Sequence, residues 1–351
     1  MKVLSIVGAR PNFIKMAPIL QALEEKKHES ILLHTGQHYD FNMTEIFFKE
    51  FGTVKPNYNL GVGSGTHAYQ TAEMLKGIEQ VIVKEEPDVV LIPGDTNTTI
   101  AGALAAVKLH VKIAHIEAGL RSYDKRMPEE INRILTDHCS DILFCPTKNA
   151  VKNLAKESIS RGVALVGDTM YELAMKFQRQ MMKAKLEVHL PEEYILMTIH
   201  RAENTDERLE EIVHQLLEID REIIWPIHPR TKEKLKKSGV MKKLTKKLTI
   251  IDPQGYLEFG KLLKKASMVI TDSGGVQKEA YWNKIPCITV RDNTEWVETV
   301  ETGCNVLVKP QKIKETVEEY SRKTFSFNKS VYGYMDTSKR IIDALEKQIE
   351  N

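Results

Sequence analysis

Short, nearly all-apolar runs alternate along this chain with longer amphipathic stretches. The runs Val3–Val7, Ser30–His34, Val89–Pro93, Lys112–Ile116, Ile142–Cys145 and Val163–Val166 predict strands. The stretches Phe13–Glu25, Ala68–Lys84, Thr98–Leu109, Glu129–His138 and Lys148–Lys156 predict the helices between them. Strands with no polar alternation are covered on both faces, and strand–helix alternation predicts a parallel sheet. The pattern then restarts. Tyr194–Ile199, Ile223–Ile227, Leu248–Ile251, Met268–Thr271, Cys287–Val290 and Asn305–Val308 read as a second set of strands, with helices at Glu207–Ile219, Thr231–Lys237, Leu257–Lys265, Val276–Trp282 and Ile313–Arg322. The seam falls around Gly167–Glu193, a helical, Met-rich segment, and a last helix, Asp336–Lys347, follows the break at Gly333. The expected fold class is α/β: two doubly wound domains, residues 1–167 with the C-terminal helix 335–351, and residues 168–334. In such sheets ligands bind at the carboxyl ends of the strands, and a cleft between two such domains is the expected site.

A chain of 351 residues suits two domains of ordinary size, and 42% apolar residues suffice for two cores. Fifty Lys and Arg against 48 Asp and Glu give no ground for nucleic-acid binding. The basic run Lys232–Lys247 reads as a solvated helical face. No apolar run is long enough to span a bilayer, and the N-terminus has no small-residue cleavage site, so neither a membrane anchor nor a signal peptide is expected. The four cysteines, Cys139, Cys145, Cys287 and Cys304, lack metal-ligand spacing. They read as free thiols in a reducing cytoplasm.

Candidate chemistry collects where predicted strands end. Asp272-Ser-Gly-Gly-Val-Gln-Lys-Glu279 follows the apolar run Met268–Thr271. A strand, a glycine turn and a helix start expose backbone N–H groups at the positive end of a helix, which suits a phosphate. An ordinary strand-to-helix turn has the same outline, so this segment alone leaves both readings open. Arg10 and Lys15 follow the first strand, Asp95 the strand Val89–Pro93, Glu117 the strand Lys112–Ile116, and His200 with Arg201 the strand Tyr194–Ile199. One such residue suggests a helix cap or a surface ion pair. So many at corresponding edges favour a site. Glu129 and Arg133, spaced i, i+4 after Pro128, share a helix face. Asp95, Glu117, Glu129 and His200 suit proton transfer, because clustering carboxylates raises the pKa of one of them. Arg10, Lys15, Arg133 and Arg201 suit a diphosphate that must be held and stabilised as it leaves. No activated serine or cysteine nucleophile and no metal-ligand set is apparent.

Taken in order, Gly8-Ala-Arg-Pro-Asn-Phe-Ile-Lys15, Thr35-Gly-Gln-His38, Gly94-Asp95, His115-Ile-Glu-Ala-Gly-Leu-Arg121, Pro128-Glu-Glu-Ile-Asn-Arg133, His200-Arg-Ala-Glu-Asn204 and Asp272–Glu279 resemble the non-hydrolysing UDP-N-acetylglucosamine 2-epimerases from end to end. The resemblance implies two Rossmann-like domains of the glycosyltransferase-B type, with the C-terminal helix returning to the first. It also implies a homodimer without metal or nicotinamide. The implied reaction inverts the carbon bearing the acetamido group by eliminating UDP and adding it back. By position, Asp95, Glu117, Glu129 and His200 match the acid–base set. Arg10, Lys15, His38, Arg133, Arg201, Asn204, Gln254, Phe259, Ser273, Gly274, Gly275 and Glu279 match the substrate-binding set.

Departures from the family pattern bear on the substrate. The first motif reads Ala9 and Asn12 where threonine and glutamate are common. Trp296 takes the place of an arginine that contacts the nucleotide sugar, with Arg291 nearby as a substitute. Gln37, His38 and Gln70 match an allosteric pocket of some members, but Tyr69 stands where an arginine is usual. These variants look like a subgroup acting on UDP-2,3-diacetamido-2,3-dideoxy-glucuronate, which is placed ahead of UDP-N-acetylglucosamine. Rival readings are a glycosyltransferase of the same fold, a nucleotide-sugar sensor and a hydrolysing epimerase.

Overall fold

The computed structural model describes residues 1–36, 55–328 and 331–349, the Arg10 side chain excepted. Contacts divide the chain into two compact units, Met1–Lys176 with Ser330–Asn351, and Phe177–Lys329. The division falls within the helix Thr169–Lys183, which lies in the Gly167–Glu193 segment read from the sequence as the seam.

The first unit holds β1 (Lys2–Val7), β2 (Glu29–His34), β3 (Tyr58–Asn59), β4 (Val89–Pro93), β5 (Lys112–Ile116), β6 (Ile142–Cys145) and β7 (Val163–Leu165). They form a parallel sheet in the order β3-β2-β1-β4-β5-β6-β7. Val89, Val90, Leu91 and Ile92 of β4 are fully buried, as the unalternating pattern requires. Each such side chain contributes about 1.5–3 kcal/mol on burial, so the apolar run itself fixes the strand at the sheet's centre. The helix Arg10–Glu25 starts earlier than its apolar pattern, with Pro11 in the first turn, where a missing N–H costs nothing. The C-terminal helix Thr337–Ile349 belongs to this unit. The buried Glu172 accepts hydrogen bonds from the Ser338 backbone and hydroxyl, both 2.7 Å.

The second unit holds β8 (Ile195–Thr198), β9 (Ile223–Pro226), β10 (Thr249–Ile251), β11 (Met268–Thr271), β12 (Cys287–Thr289) and β13 (Asn305–Leu307). These pair in parallel in the order β10-β9-β8-β11-β12-β13. Trp225, fully buried, anchors a core that includes Ile195, Met197, Ile212, Leu216 and Ile270. The basic run divides between two helices, Pro229–Lys237 and Met241–Leu244, rather than forming one face. No helix among the described residues is long and apolar enough to cross a membrane.

Candidate active site

Each sheet has a point where the strand order reverses: between β1 and β4 in the first unit, and between β8 and β11 in the second. Loops leaving the two strands there diverge and open a crevice at the carboxyl ends. Arg10, Lys15 and Asp95 follow the strands that flank the first point, His200, Arg201 and Asp272 those that flank the second, and Glu117 follows β5, the neighbour of β4.

In the first unit, register brings two carboxylate-bearing turns level with each other. Pro93 of β4 pairs with Ile116 of β5, so Gly94-Asp95 and Glu117 emerge together. Gly94 and Glu117 both adopt positive φ, +71° and +69°. A left-handed glycine is ordinary. A left-handed glutamate is strained, and such strain persists only where surrounding contacts over-determine it. Glu117 is buried and ion-paired with Lys15 of the helix Arg10–Glu25. A Cβ at Gly94 would lie 2.8 Å from the Lys15 ammonium, so only glycine leaves the pair its room. Asp95 receives two hydrogen bonds from the Arg133 guanidinium, Nη2 at 2.7 Å and Nε at 3.0 Å, both on Oδ2. Its Oδ1 has no protein partner among the described residues. Glu129, half-buried in the first turn of the helix Pro128–Cys139, also has none. Its neighbour Glu130 is fully engaged: it accepts from Ser122 N (2.8 Å), Ser122 Oγ (3.0 Å), Tyr123 N (2.8 Å) and Arg133 Nη1 (3.0 Å). The two adjacent glutamates thus divide the work, Glu130 building the loop and Glu129 staying available.

Behind these carboxylates lies a buried polar network that strand-end reasoning does not find. His115, Asp137 and Arg121 are almost fully buried. His115 Nδ1 lies 2.6 Å from Asp137, and Arg121 bridges Asp137 (2.7 Å) and Glu157 (2.7 and 2.8 Å). Burial alone pushes the Asp137 carboxyl up, but the charges and hydrogen bonds of His115 and Arg121 outweigh it and hold it below its ordinary range. The signal was present in sequence: a histidine interrupting the apolar strand Lys112–Ile116.

The second unit is organised by Asp272, which is fully buried just after β11. It accepts hydrogen bonds from the backbone N–H of His200 (3.1 Å) and Arg201 (2.9 Å) and from Asn204 Nδ2 (3.1 Å). Asn204 also donates to the Val290 carbonyl at 2.9 Å. Met268–Thr271 pairs residue for residue with Ile195–Thr198, which brings the two loops level. His200 Nδ1 lies 3.2 Å from Asp272, and nearly half of the imidazole is exposed. The Arg201 guanidinium has no protein partner among the described residues.

Ser273 caps the helix Gly274–Trp282, its hydroxyl accepting from Val276 N. A Cβ at Gly274 would collide with the Glu295 carboxylate and sit 3.4 Å from Trp296 Nε1. Gly275 and Glu279 lie half-buried on this helix. Trp296 is itself buried, with the Lys278 ammonium 4.3 Å from its ring centre, and Arg291 is buried and paired with Glu295 at 3.0 Å. Both therefore belong to the support beneath the turn. Gln254 is half-buried and bonds its own loop at the Asp252 carbonyl, 2.8 Å, while Phe259 packs on the core around Tyr194 and Leu262. His38, Gln37 and the Arg10 side chain lie outside the described residues. Gln70 is buried and holds Gly63 (2.7 Å) and Asn97 (3.0 Å), whereas Tyr69 is exposed. Among the described residues no three His, Cys, Asp or Glu are placed to hold a metal.

The arrangement offers two complementary functions. The first unit presents carboxylates held by fixed cations, a setting suited to proton transfer. The second presents a helix N-terminus, a histidine and an arginine whose guanidinium has no protein partner among the described residues, a setting for an anion. The family model described as UDP-N-acetylglucosamine 2-epimerase matches residues 21–346. A Methanococcus maripaludis protein named UDP-N-acetylglucosamine 2-epimerase homolog is 50% identical, covering 98% of this chain and 99% of its own. The Pseudomonas aeruginosa UDP-2,3-diacetamido-2,3-dideoxy-D-glucuronate 2-epimerase is 49% identical, over 99% and 100%. The crystal structure of Methanocaldococcus jannaschii UDP-GlcNAc 2-epimerase with UDP-GlcNAc and UDP superposes with a TM-score of 0.92 at 46% identity, over 99% and 100%. The fold is the two-domain, Rossmann-like glycosyltransferase-B type, and the chain belongs to the UDP-N-acetylglucosamine 2-epimerase family of isomerases.

Proposed function

We propose that this enzyme inverts carbon 2 of a UDP-2-acetamido sugar without hydrolysing it. In this reading the Asp272–Glu279 turn, Arg201, Arg10 and Lys15 are the diphosphate-binding groups, and Asp95, Glu117, Glu129 and His200 are the acid–base groups. A carboxylate takes the proton from carbon 2, and the bond from carbon 1 to the diphosphate oxygen breaks. UDP leaves with that electron pair and a glycal remains. A proton delivered to the other face of carbon 2 and re-addition of UDP complete the inversion. Atoms and electrons balance without a redox partner. The supporting observation is the β4/β5 register, which brings the Gly94-Asp95 and Glu117 turns level, with Asp95 Oδ1 uncommitted among the described residues and Lys15 paired to Glu117. His38, Arg133, Asn204, Gln254, Phe259, Ser273, Gly274, Gly275 and Glu279 complete the binding set in this reading.

Of the two substrates we favour UDP-2,3-diacetamido-2,3-dideoxy-glucuronate over UDP-N-acetylglucosamine. Buried Trp296 replaces the arginine usual in the family, and the end-to-end Pseudomonas relative carries that substrate in its name. The product, a UDP-activated manno epimer, suits glycan assembly in the cytoplasm, where the four unpaired cysteines stay reduced. A homodimer is supported by Ile131 and Leu135, exposed i, i+4 on the helix Pro128–Cys139. Incubation with each UDP-sugar, followed by NMR, is the test. Epimers still attached to UDP support the reading, and a kcat/KM at least tenfold higher for the diacetamido sugar supports the preference. Free UDP and free sugar as steady products overturn the non-hydrolysing assignment.

A further inference from the structure

We propose that His115 and Asn132 are positioning residues that clamp the backbone on either side of Asp95, an inference that rests on the acid–base role given to Asp95 above. His115 Nε2 donates to the Gly94 carbonyl at 2.7 Å, fixing the peptide group that precedes Asp95. Asn132 Nδ2 donates to the carbonyl of Asp95 itself at 2.9 Å, fixing the peptide group that follows. The next residue, Arg133, holds the carboxylate through Oδ2. Backbone and side chain of Asp95 are thus restrained from three directions, and two of the three partners are neighbours on the helix Pro128–Cys139.

The clamp extends to the second carboxylate. The other ring nitrogen of His115 donates to Asp137 at 2.6 Å, and Asp137 also accepts from Gly119 N at 3.1 Å. Gly119 lies two residues beyond Glu117, in the turn that gives Glu117 its positive φ. His115 lies two residues before it. One buried acid therefore ties the Gly94-Asp95 turn to the Glu117 turn. Core packing alone gives no reason for this arrangement, because apolar residues of the same volume fill a core at equal or better stability than a buried ionic group. A purpose lies in geometry: a misplacement of about 1 Å at a reacting group costs about 100-fold in rate.

The experiment places His115→Gln and Asn132→Ala in the wild-type chain and in an Asp95→Asn background. Deuterium incorporation and epimer formation are measured to obtain kcat and KM, with a thermal melt as the fold control. Each substitution is expected to lower kcat about 10–100-fold with KM changed less than about threefold. In the Asp95→Asn background the same substitutions are expected to cost less than about threefold more, because residues that act through one group are non-additive. Equal losses in both backgrounds, or kcat within about threefold of wild type for both single variants, overturn the proposal. Should His115→Gln fail to fold, Asn132→Ala decides alone, since alanine is the best helix former at that position. Wild-type turnover in the same assay separates failure of the clamp from failure of the epimerase reading.

Discussion

Replacing Asp272 by asparagine should unfold the second unit at markedly lower denaturant. The side chain is fully buried and collects N–H groups from His200 (3.1 Å), Arg201 (2.9 Å) and Asn204 (3.1 Å). Asparagine keeps the shape but loses the charge and turns one acceptor into a donor. A hydrogen bond to a charged group is worth about 1.5–3 kcal/mol, and a neutral one about 1 kcal/mol. All three are accepted by Oδ2, so the amide oxygen keeps them as weaker neutral bonds while the new NH2 group faces the His200 N–H from the Oδ1 side, a combined loss of about 3 kcal/mol. The assay is selective, because all three tryptophans, Trp225, Trp282 and Trp296, belong to Phe177–Lys329. Tryptophan fluorescence in urea therefore reports this unit alone. With a slope of about 2 kcal/mol per molar, the midpoint should fall by about 1.5 M. UDP affinity should fall as well, because both peptides that Asp272 holds carry candidate ligand groups. A fluorescence midpoint within about 0.3 M of wild type would refute the anchoring role.

Three further outcomes follow from the same geometry. Arg201→Met should weaken UDP binding by about 10–100-fold while leaving the urea midpoint unchanged, since its guanidinium has no protein partner among the described residues and a charge-assisted bond is worth about 1.5–3 kcal/mol; calorimetric titration with UDP reads this, and an unchanged Kd contradicts it. Gly274→Ala should also lower UDP affinity, because its methyl displaces the Glu295 carboxylate and with it the Arg291 pair; wild-type affinity would show that the turn absorbs the methyl. Asp137 gives a pH prediction. Its folded-state pKa is depressed, so its contribution is complete above the ordinary carboxylate value of about 3.9 and is lost as pH falls through the lower folded value. Thermal midpoints measured from pH 7 down to pH 3 should therefore fall more steeply for wild type than for Asp137→Asn, and parallel curves would contradict the assignment.

Much of this architecture was legible because burial on both faces of a parallel sheet writes itself as short apolar runs. β4 and β5 were visible as Val89–Pro93 and Lys112–Ile116 with their observed bounds. β3, two residues at the sheet edge, has no apolar run to betray it. The short helix Ala202–Asp206 has too few turns for a period. The strand-end rule located Asp95, Glu117, His200 and Arg201, but it could not say what holds them. Asp272 appeared as the start of a phosphate turn, and its buried carboxylate proves to be the anchor of the opposite loop. Glu129 and Glu130 are indistinguishable in sequence, and only the fold of Ser122-Tyr123 onto Glu130 separates them. Asn132 and Asp137 sit on a helix whose other residues look like an ordinary amphipathic surface. Their partners, the Asp95 carbonyl and His115, come from distant strands, and no local spacing encodes such pairs. Trp296 was singled out by its place in the motif, and its burial against Lys278 could not be read from the sequence.

An epimerase of the proposed kind removes and returns the proton on the acetamido-bearing carbon. The most direct measurement follows a UDP-2-acetamido sugar with the purified protein in deuterated buffer by NMR. Deuterium is expected at carbon 2 in both epimers, each still joined to UDP, with no incorporation at other carbons. Failure of every UDP-2-acetamido sugar to exchange that hydrogen would contradict it.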